Sequence, residues 1–186
     1  MSLAKNTSPI VVELDDAGWK EKVDRAETWF GNVLTVQGAF RRLVHDTRDK
    51  VQEPHIRDYL GEILNKAMEH EQQAEELFGM IGRKAPTASR ELGGVLVSGA
   101  HKALGKIEGT AGGATDAWQD LRQLILLNID SMGAFAAAEQ IGFALAMPEV
   151  SKITFDIENE KMKHHLIMQE LLLETAAISI LFKRPI

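Results

Sequence analysis

The sequence predicts an all-α fold, namely a bundle of four long helices paired as two hairpins, with an additional short helix in the crossover. Apolar residues recur with a period near 3.6 over four long segments. Turn signals such as Pro54 and Gly82 separate those segments, and the alternation typical of strands has some support only at "PIVVEL". A chain of 186 residues suits one compact domain with a full core.

The helices follow in order from this pattern and its punctuation. The first runs from about Asp24 to Val51, and the second runs from Pro54 to about Ile81, closed by Gly82 and "RKAP". A shorter helix covers about 89–107, a third long helix follows Asp116 as its N-cap to about residue 146, and the last runs from about 150 to 182. We therefore expect an N-terminal arm at 1–23, the bundle at 24–182 and a C-terminal tail at 183–186.

Composition narrows the classes of function. The formal net charge of −6 gives no reason to expect nucleic acid or an anionic membrane as a partner. The N-terminus lacks a signal-peptide pattern, and Asp130 and Glu139 interrupt the richest apolar stretch, so we expect a cytoplasmic protein with no membrane span. Because there is no cysteine, any metal ion would need histidine and carboxylate ligands.

Polar residues interrupt the inward stripe of each long helix and predict a polar layer inside the bundle. Gln37 interrupts the first helix, Glu71 the second, and Asn128 with Ser131 the third. On the fourth helix the predicted stripe is Ile153, Ile157, Ile167, Leu171 and Ile178, interrupted by Glu160 and His164. His70 falls on the flank of its stripe, His165 on the surface, and the methionines are interpreted as core residues.

Three of these residues form the candidate metal site, Glu71, Glu160 and His164. Their oxygen and imidazole groups are ligand types used for iron or manganese, and a buried carboxylate requires pairing or a metal. Two plainer interpretations stay open. Glu71 could extend to solvent, and Glu160 with His164 could be a hydrogen-bonded pair without chemistry. The sequence contains no G-x-S-x-G, P-loop or Rossmann motif, so enzyme identity stays open.

Over roughly 25–180 the chain resembles the ferritin-like superfamily, and within it the YciE/YciF-type stress proteins. The resemblance lies in "EPHIRDYLGEIL", "AEELFGMIGRKAP", the glycine-spaced helix that follows, and "NIDSMGAF". It implies a ferritin-like bundle, a stress-response role and a di-metal centre built from two Glu residues and two Glu-x-x-His motifs. No Glu-x-x-His occurs in this sequence, and Gln37 and Ser131 or Asn128 stand where such proteins carry the two other glutamates.

A second apolar stripe on the fourth helix predicts association. Phe155, Met162, Leu166, Leu173 and Ile180 lie nearly opposite the inward face, and the third helix has a similar second face. We therefore expect a homodimer, since a monomeric four-helix bundle would expose one of these stripes. Two functions follow: a ferritin-like, stress-associated protein with iron or manganese in its core, or a metal-free helical scaffold that acts through homodimerisation or partner binding.

Overall fold

The protein is a bundle of four long helices, seen in a computed structural model that describes residues 15–86 and 115–186. The helices are α1 (Asp16–Lys50), α2 (Pro54–Met80), α3 (Asp116–Ala144) and α4 (Pro148–Ile180). The described residues contain no strand. The predicted all-α class and the two hairpins are confirmed, whereas the predicted short helix at 89–107 lies outside the described residues.

Two antiparallel hairpins, α1–α2 and α3–α4, pack together through α1 and α3, and α2 faces α4. Contacts between α1 and α3 show their antiparallel course: the Trp29 indole donates to the Ala134 carbonyl at 3.1 Å, and Lys50 pairs with Asp120. Consequently α2 and α3 run in the same direction.

The core consists of two apolar clusters with a polar layer between them. One cluster surrounds Phe40, Leu60 and Leu121, and the other surrounds Phe30, Phe78 and Phe135. Between them each helix contributes polar side chains that we call the middle layer: Gln37, His70, Asn128, Ser131, Lys161 and His164. The prediction of a polar layer is thus confirmed, although Lys161 takes the central position predicted for Glu160, and His70 enters the layer beside the buried Glu71.

Some helices begin at residues other than the predicted ones, because local capping interactions determine where they start. Helix α1 begins at Asp16 rather than near Asp24, because the Asp15 side chain accepts a hydrogen bond from the Gly18 amide at 2.7 Å and caps the first turn. Helix α3 includes Asp116, and Thr115 occupies the N-cap position. The predicted tail carries the buried Ile186, which packs on the cluster around Phe40.

Helix α3 is long and apolar enough, by composition alone, to cross a membrane, a test that core helices of soluble bundles also pass. Its side chains Leu121, Leu124 and Phe135 are fully buried inside the bundle. Packing against α1 and α4 therefore accounts for part of its apolar character, whereas Leu126, Ile129 and Phe143 are exposed.

The turn between α3 and α4 depends on a close approach at Gly142. A Cβ atom at this position would lie 2.5 Å from Ser151 Oγ and 2.8 Å from the Ser151 amide nitrogen. The Ser151 hydroxyl donates to the Glu139 carbonyl at 3.0 Å, so it is already engaged in holding the turn. The absence of a side chain at 142 lets the two helices meet here.

We expect Gly142→Ala to lower the free energy of unfolding by about 1–3 kcal/mol, because the added methyl group overpacks this turn. Gly133→Ala in the same helix is the matched control: its Cβ would meet no described atom within 4 Å. Alanine there should raise stability by up to about 1 kcal/mol, since glycine is a poor helix former. Urea unfolding of both variants measures the difference, and equal effects at the two positions would contradict the close approach.

Candidate functional site

The candidate site depends on which residues of α4 point into the bundle. Its inward row, at alternating steps of three and four residues, passes through Ile157, Lys161, His164 and Met168, and all but His164 are fully or almost fully buried. The row predicted from the sequence is rotated from this one, because it used Ile153, Glu160 and Ile167, and Ile167 is exposed. The predicted row was right for Ile157, His164 and Leu171, which face inward, and wrong for Glu160 and Ile167: Glu160 lies at the edge of the bundle, and Lys161 lies at its centre.

Lys161 is a buried cation among aromatic rings. Its side chain has 0% exposure, and Nζ lies 4.1 Å from the Phe40 ring centroid and 5.9 Å from that of Phe135. Within residues 15–86 and 115–186, Nζ has no hydrogen-bond partner. Burial lowers the pKa of the Lys161 ammonium group from 10.5 to about 7. The π face of the Phe40 ring opposes this lowering of the pKa, since it attracts the charged ammonium form of Lys161.

His70 is the second buried titratable group of the middle layer. Its Nε2 lies 2.9 Å from Glu160 Oε2, and the histidine is 2% exposed. Burial, followed by the charge of Lys161, lowers the pKa of His70 to about 4. The imidazole is therefore neutral at pH 7, with Nε2–H donating to the Glu160 carboxylate.

Glu160 lies at the border between α2 and α4, with its side chain 41% exposed. Lys66 Nζ approaches Glu160 Oε1 at 3.7 Å from the solvent side. Burial alone would raise the pKa of Glu160, but the His70 hydrogen bond and the nearby cations bring it below its usual value. Glu160 thus accepts from His70 and remains ionised.

His164 lies one helical turn beyond Glu160 and faces Tyr59. The two rings meet edge to face, with centroids 6.3 Å apart. Burial, then the charge of Lys161, lowers the pKa of His164. Burial also raises the pKa of Tyr59 to about 12, and its buried hydroxyl lacks a hydrogen-bond partner in the described part of the chain.

The rest of the middle layer is a structural hydrogen-bond network. The Gln37 amide donates to the Ala67 carbonyl at 2.9 Å and accepts from the Ser131 hydroxyl at 3.0 Å, so it joins α1, α2 and α3. The Asn128 amide donates to the Lys161 carbonyl at 3.1 Å and joins α3 to α4. These hydrogen bonds between helices fix the register of the helices, although Asn128 Oδ1 has no hydrogen-bond partner among the described residues.

The three predicted ligands do not come together. Glu71 forms an ion pair with Arg41, Glu160 binds His70, and His164 stacks on Tyr59. Across the described ranges, no three histidine or carboxylate side chains form a group able to hold a metal ion. Of the two plainer interpretations, Glu71 is paired rather than solvated, and Glu160 binds the histidine of α2 instead of His164.

The residues present do not fit the di-metal centre that the ferritin-like resemblance implies. Such a centre needs four glutamates around the metal pair, and the middle layer supplies two neutral amides and a serine in their place. Lys161 adds a group that repels a metal ion when protonated. Gln37 and Ser131 are already hydrogen-bonded to each other, so they have no reason to act as ligands.

Sequence reasoning missed Lys161 and placed His70 only on a flank. The available signal was the row Val150, Thr154, Ile157, Lys161, His164, Met168, Leu171 and Thr175, which keeps heptad spacing along α4. A lysine in the middle of such a row is an unusual core residue. A second row, which contains four isoleucines, is more apolar. Taking that row as the inward face gave the helix the wrong rotation in the prediction.

Comparison with known proteins supports the fold alone. No family model matches the chain, and no curated protein matches it. A crystal structure of a protein from Xanthomonas campestris pv. campestris str. ATCC 33913 is similar, with a TM-score of 0.62 over 83% of this chain and 90% of that chain. The two sequences are 12% identical, so the likeness defines the class, a four-helix bundle of two hairpins, and extends no further.

Proposed function

We propose that the protein is a metal-independent helical interaction protein that acts by pairing with a second copy of itself along the outer face of α4. One observation carries this proposal: a long, mostly apolar and mostly exposed row on the helix that also lines the core. The row keeps steps of three and four residues over more than six turns, at Phe155, Asn159, Met162, Leu166, Gln169, Leu173, Ala176 and Ile180. We call these eight residues the outer row.

The outer row has the spacing of a coiled-coil seam. Six of its eight residues are apolar, and Leu166 and Leu173 are 57% and 67% exposed. A row of large apolar side chains at heptad spacing marks an association surface. Its polar members, Asn159 and Gln169, are of the type that selects one register of pairing at a cost in stability.

The order of residues in the outer row favours a second copy lying antiparallel. About a midpoint between Ile167 and Met168 the row is symmetric in position, so a two-fold axis there places Phe155 against Ile180 of the second copy. The same axis places Met162 against Leu173 of the second copy. These two pairs bury apolar atoms against apolar atoms, and each occurs twice; the other two pairs, Asn159 with Ala176 and Leu166 with Gln169, each set a polar side chain against an apolar one.

Charge beside the outer row supports the same arrangement. Lys163 and Glu170 are exposed on one flank of it, on either side of the midpoint. Antiparallel pairing brings Lys163 near Glu170 of the second copy, and the reverse pair forms by symmetry.

We expect Leu173→Glu to weaken self-association by about 100-fold or more, because two carboxylates per dimer would replace buried leucines. Met68→Glu is the matched control: Met68 is 55% exposed, on α2 and away from the outer row. Sedimentation equilibrium measures the dissociation constant of each variant. A monomeric wild type, or equal losses in the two variants, would contradict the proposal.

A charge reversal tests the antiparallel order itself. Lys163→Glu alone should weaken pairing, because it places two carboxylates together twice in the dimer. Adding Glu170→Lys should restore the affinity, since the two exchanged charges then attract again. No rescue in the double variant would exclude this register.

The other predicted properties stay predictions. A stress-response role follows from the resemblance, and a cytoplasmic location follows from the sequence. The other predicted function, iron or manganese in the core with Glu71, Glu160 and His164 as ligands, also stays a prediction. Metal analysis of untagged protein and of a Glu160→Ala, His164→Ala double variant tests it: one metal per chain that is lost in the double variant would favour it over the metal-independent function.

A further inference from the structure

Two histidines and a cation share the middle of the bundle. The positive charge of Lys161 acts on both His70 and His164, and each of these imidazoles lies near enough to Glu160 to sense its carboxylate. The histidines come from different helices, α2 and α4, so two imidazoles and one carboxylate lie around the Lys161 side chain.

The spacing on both helices matches that of a metal-binding layer with its acids replaced. Di-metal bundles use Glu-x-x-His on two helices, with the glutamate three residues before the histidine. Here Ala67 stands three residues before His70, and Lys161 stands three residues before His164. Ala67 and Lys161 are both buried, so these two positions face the interior, as the ligands of such a site would.

Lys161 is held by rings rather than by acceptors. Nζ has Phe40 at 4.1 Å, and no acceptor of the described residues bonds to it. Burying an amine without a hydrogen-bond acceptor lowers the stability of the fold, and an ordinary core position would carry an apolar residue. The charge of Lys161 adds to burial in lowering the pKa of both histidines, so the Lys161 ammonium group supplies here the positive charge that a bound cation supplies elsewhere.

We propose that the Lys161 ammonium group replaces a divalent metal ion in the middle layer and excludes it, and that Lys161→Glu alone creates a two-histidine, one-carboxylate site for such an ion. The ligands would be His70, His164 and the new carboxylate at position 161. Two imidazoles with one carboxylate are a ligand set that suits iron, manganese or cobalt(II). The proposal concerns the core and does not depend on the outer row.

Titration with Co²⁺, followed by its visible absorption and by calorimetry, tests this proposal. Wild type should show no saturable binding that depends on His164. Lys161→Glu should bind one Co²⁺ per chain at least about 100-fold more tightly, because a repelling charge becomes an attracting ligand. Lys161→Met should not gain this site, and Lys161→Glu with His164→Ala should lose it.

Three results would overturn the proposal. They are wild-type binding that His164→Ala abolishes, a folded Lys161→Glu protein without saturable Co²⁺ binding, and Lys161→Met binding as tight as that of Lys161→Glu. If Lys161→Glu does not fold alone, it is refolded with Co²⁺ and followed by circular dichroism. Metal-dependent folding supports the proposal, since metal binding then supplies folding free energy, and a chain unfolded with and without Co²⁺ contradicts it.

Discussion

Lys161→Met is expected to stabilise the protein by about 1–4 kcal/mol, the range seen when buried charges give way to apolar residues of similar volume. Lysine and methionine are both unbranched, and the methionine side chain would lie against Phe40 and Phe135, where Nζ now lies. The change removes an amine that must either bury its charge or give up its proton. Most core substitutions destabilise, so the direction of this effect is the informative result.

Lys152→Met is the control for this first prediction. Lys152 is exposed near the start of α4, and the same replacement there should change the free energy of unfolding by about 0.5 kcal/mol or less. Urea unfolding at pH 7 compares both variants with wild type. Destabilisation by Lys161→Met would show that Lys161 has compensating interactions, and it would contradict the description of Lys161 as an unpaired buried cation.

The stability of the wild type should rise as pH increases above 7, and the rise should be absent in Lys161→Met. Burial lowers the pKa of Lys161 from 10.5 to about 7, so between these values the unfolded chain binds one proton more than the folded chain. Stability increases with pH wherever the unfolded state binds more protons. Below pH 7 both states are charged and the full penalty persists, whereas above pH 10.5 both are neutral and it disappears.

The measurement is the difference in unfolding free energy between Lys161→Met and wild type at pH 7, 8 and 9. This difference should shrink by about 2 kcal/mol over that range, at 1.36 kcal/mol for each pH unit beyond the folded pKa. The charged groups that face Lys161 do not interfere, because the pKa values of His70, His164 and Glu160 are all lowered from their usual values. A constant difference would mean that Lys161 keeps an ordinary pKa in the folded protein.

The fold was predictable because its signals are long and redundant. Each long helix has several turns of apolar period, and Pro54, Gly82 and the turn before Pro148 mark the ends of the segments. A few misplaced residues do not alter such a pattern. The start of α1 was missed because Gly18 and the consecutive charged residues at 20–22 interrupt the apolar period in its first two turns.

The site was harder to predict because α4 is apolar on two sides. When both faces carry leucine, isoleucine and methionine, hydrophobicity alone does not fix which face points inward. A shift of one residue rotates the helix by about 100°, which exchanges Glu160 for Lys161 at the centre. The methionines show the same ambiguity, since Met168 is buried but Met162 and Met68 are exposed, contrary to the prediction that they are core residues.

On α2 the predicted inward face was right, and the error concerned only the partner of Glu71. Glu71 is 9% exposed, as the inward stripe predicted, but Arg41 of α1 forms an ion pair with it. A partner on another helix cannot be read from helical spacing within one segment. His70 reaches the interior beside it, because the inward face of α2 is wide enough to include both residues.

Native mass spectrometry of untagged protein, prepared with and without a chelator, tests the central claim most directly. One spectrum reports both the number of chains and any bound metal. The expected result is a dimer without stoichiometric iron or manganese, unchanged by the chelator. A monomer would contradict pairing along the outer row, and one metal ion per chain that the chelator removes would contradict the role of Lys161 as the internal cation.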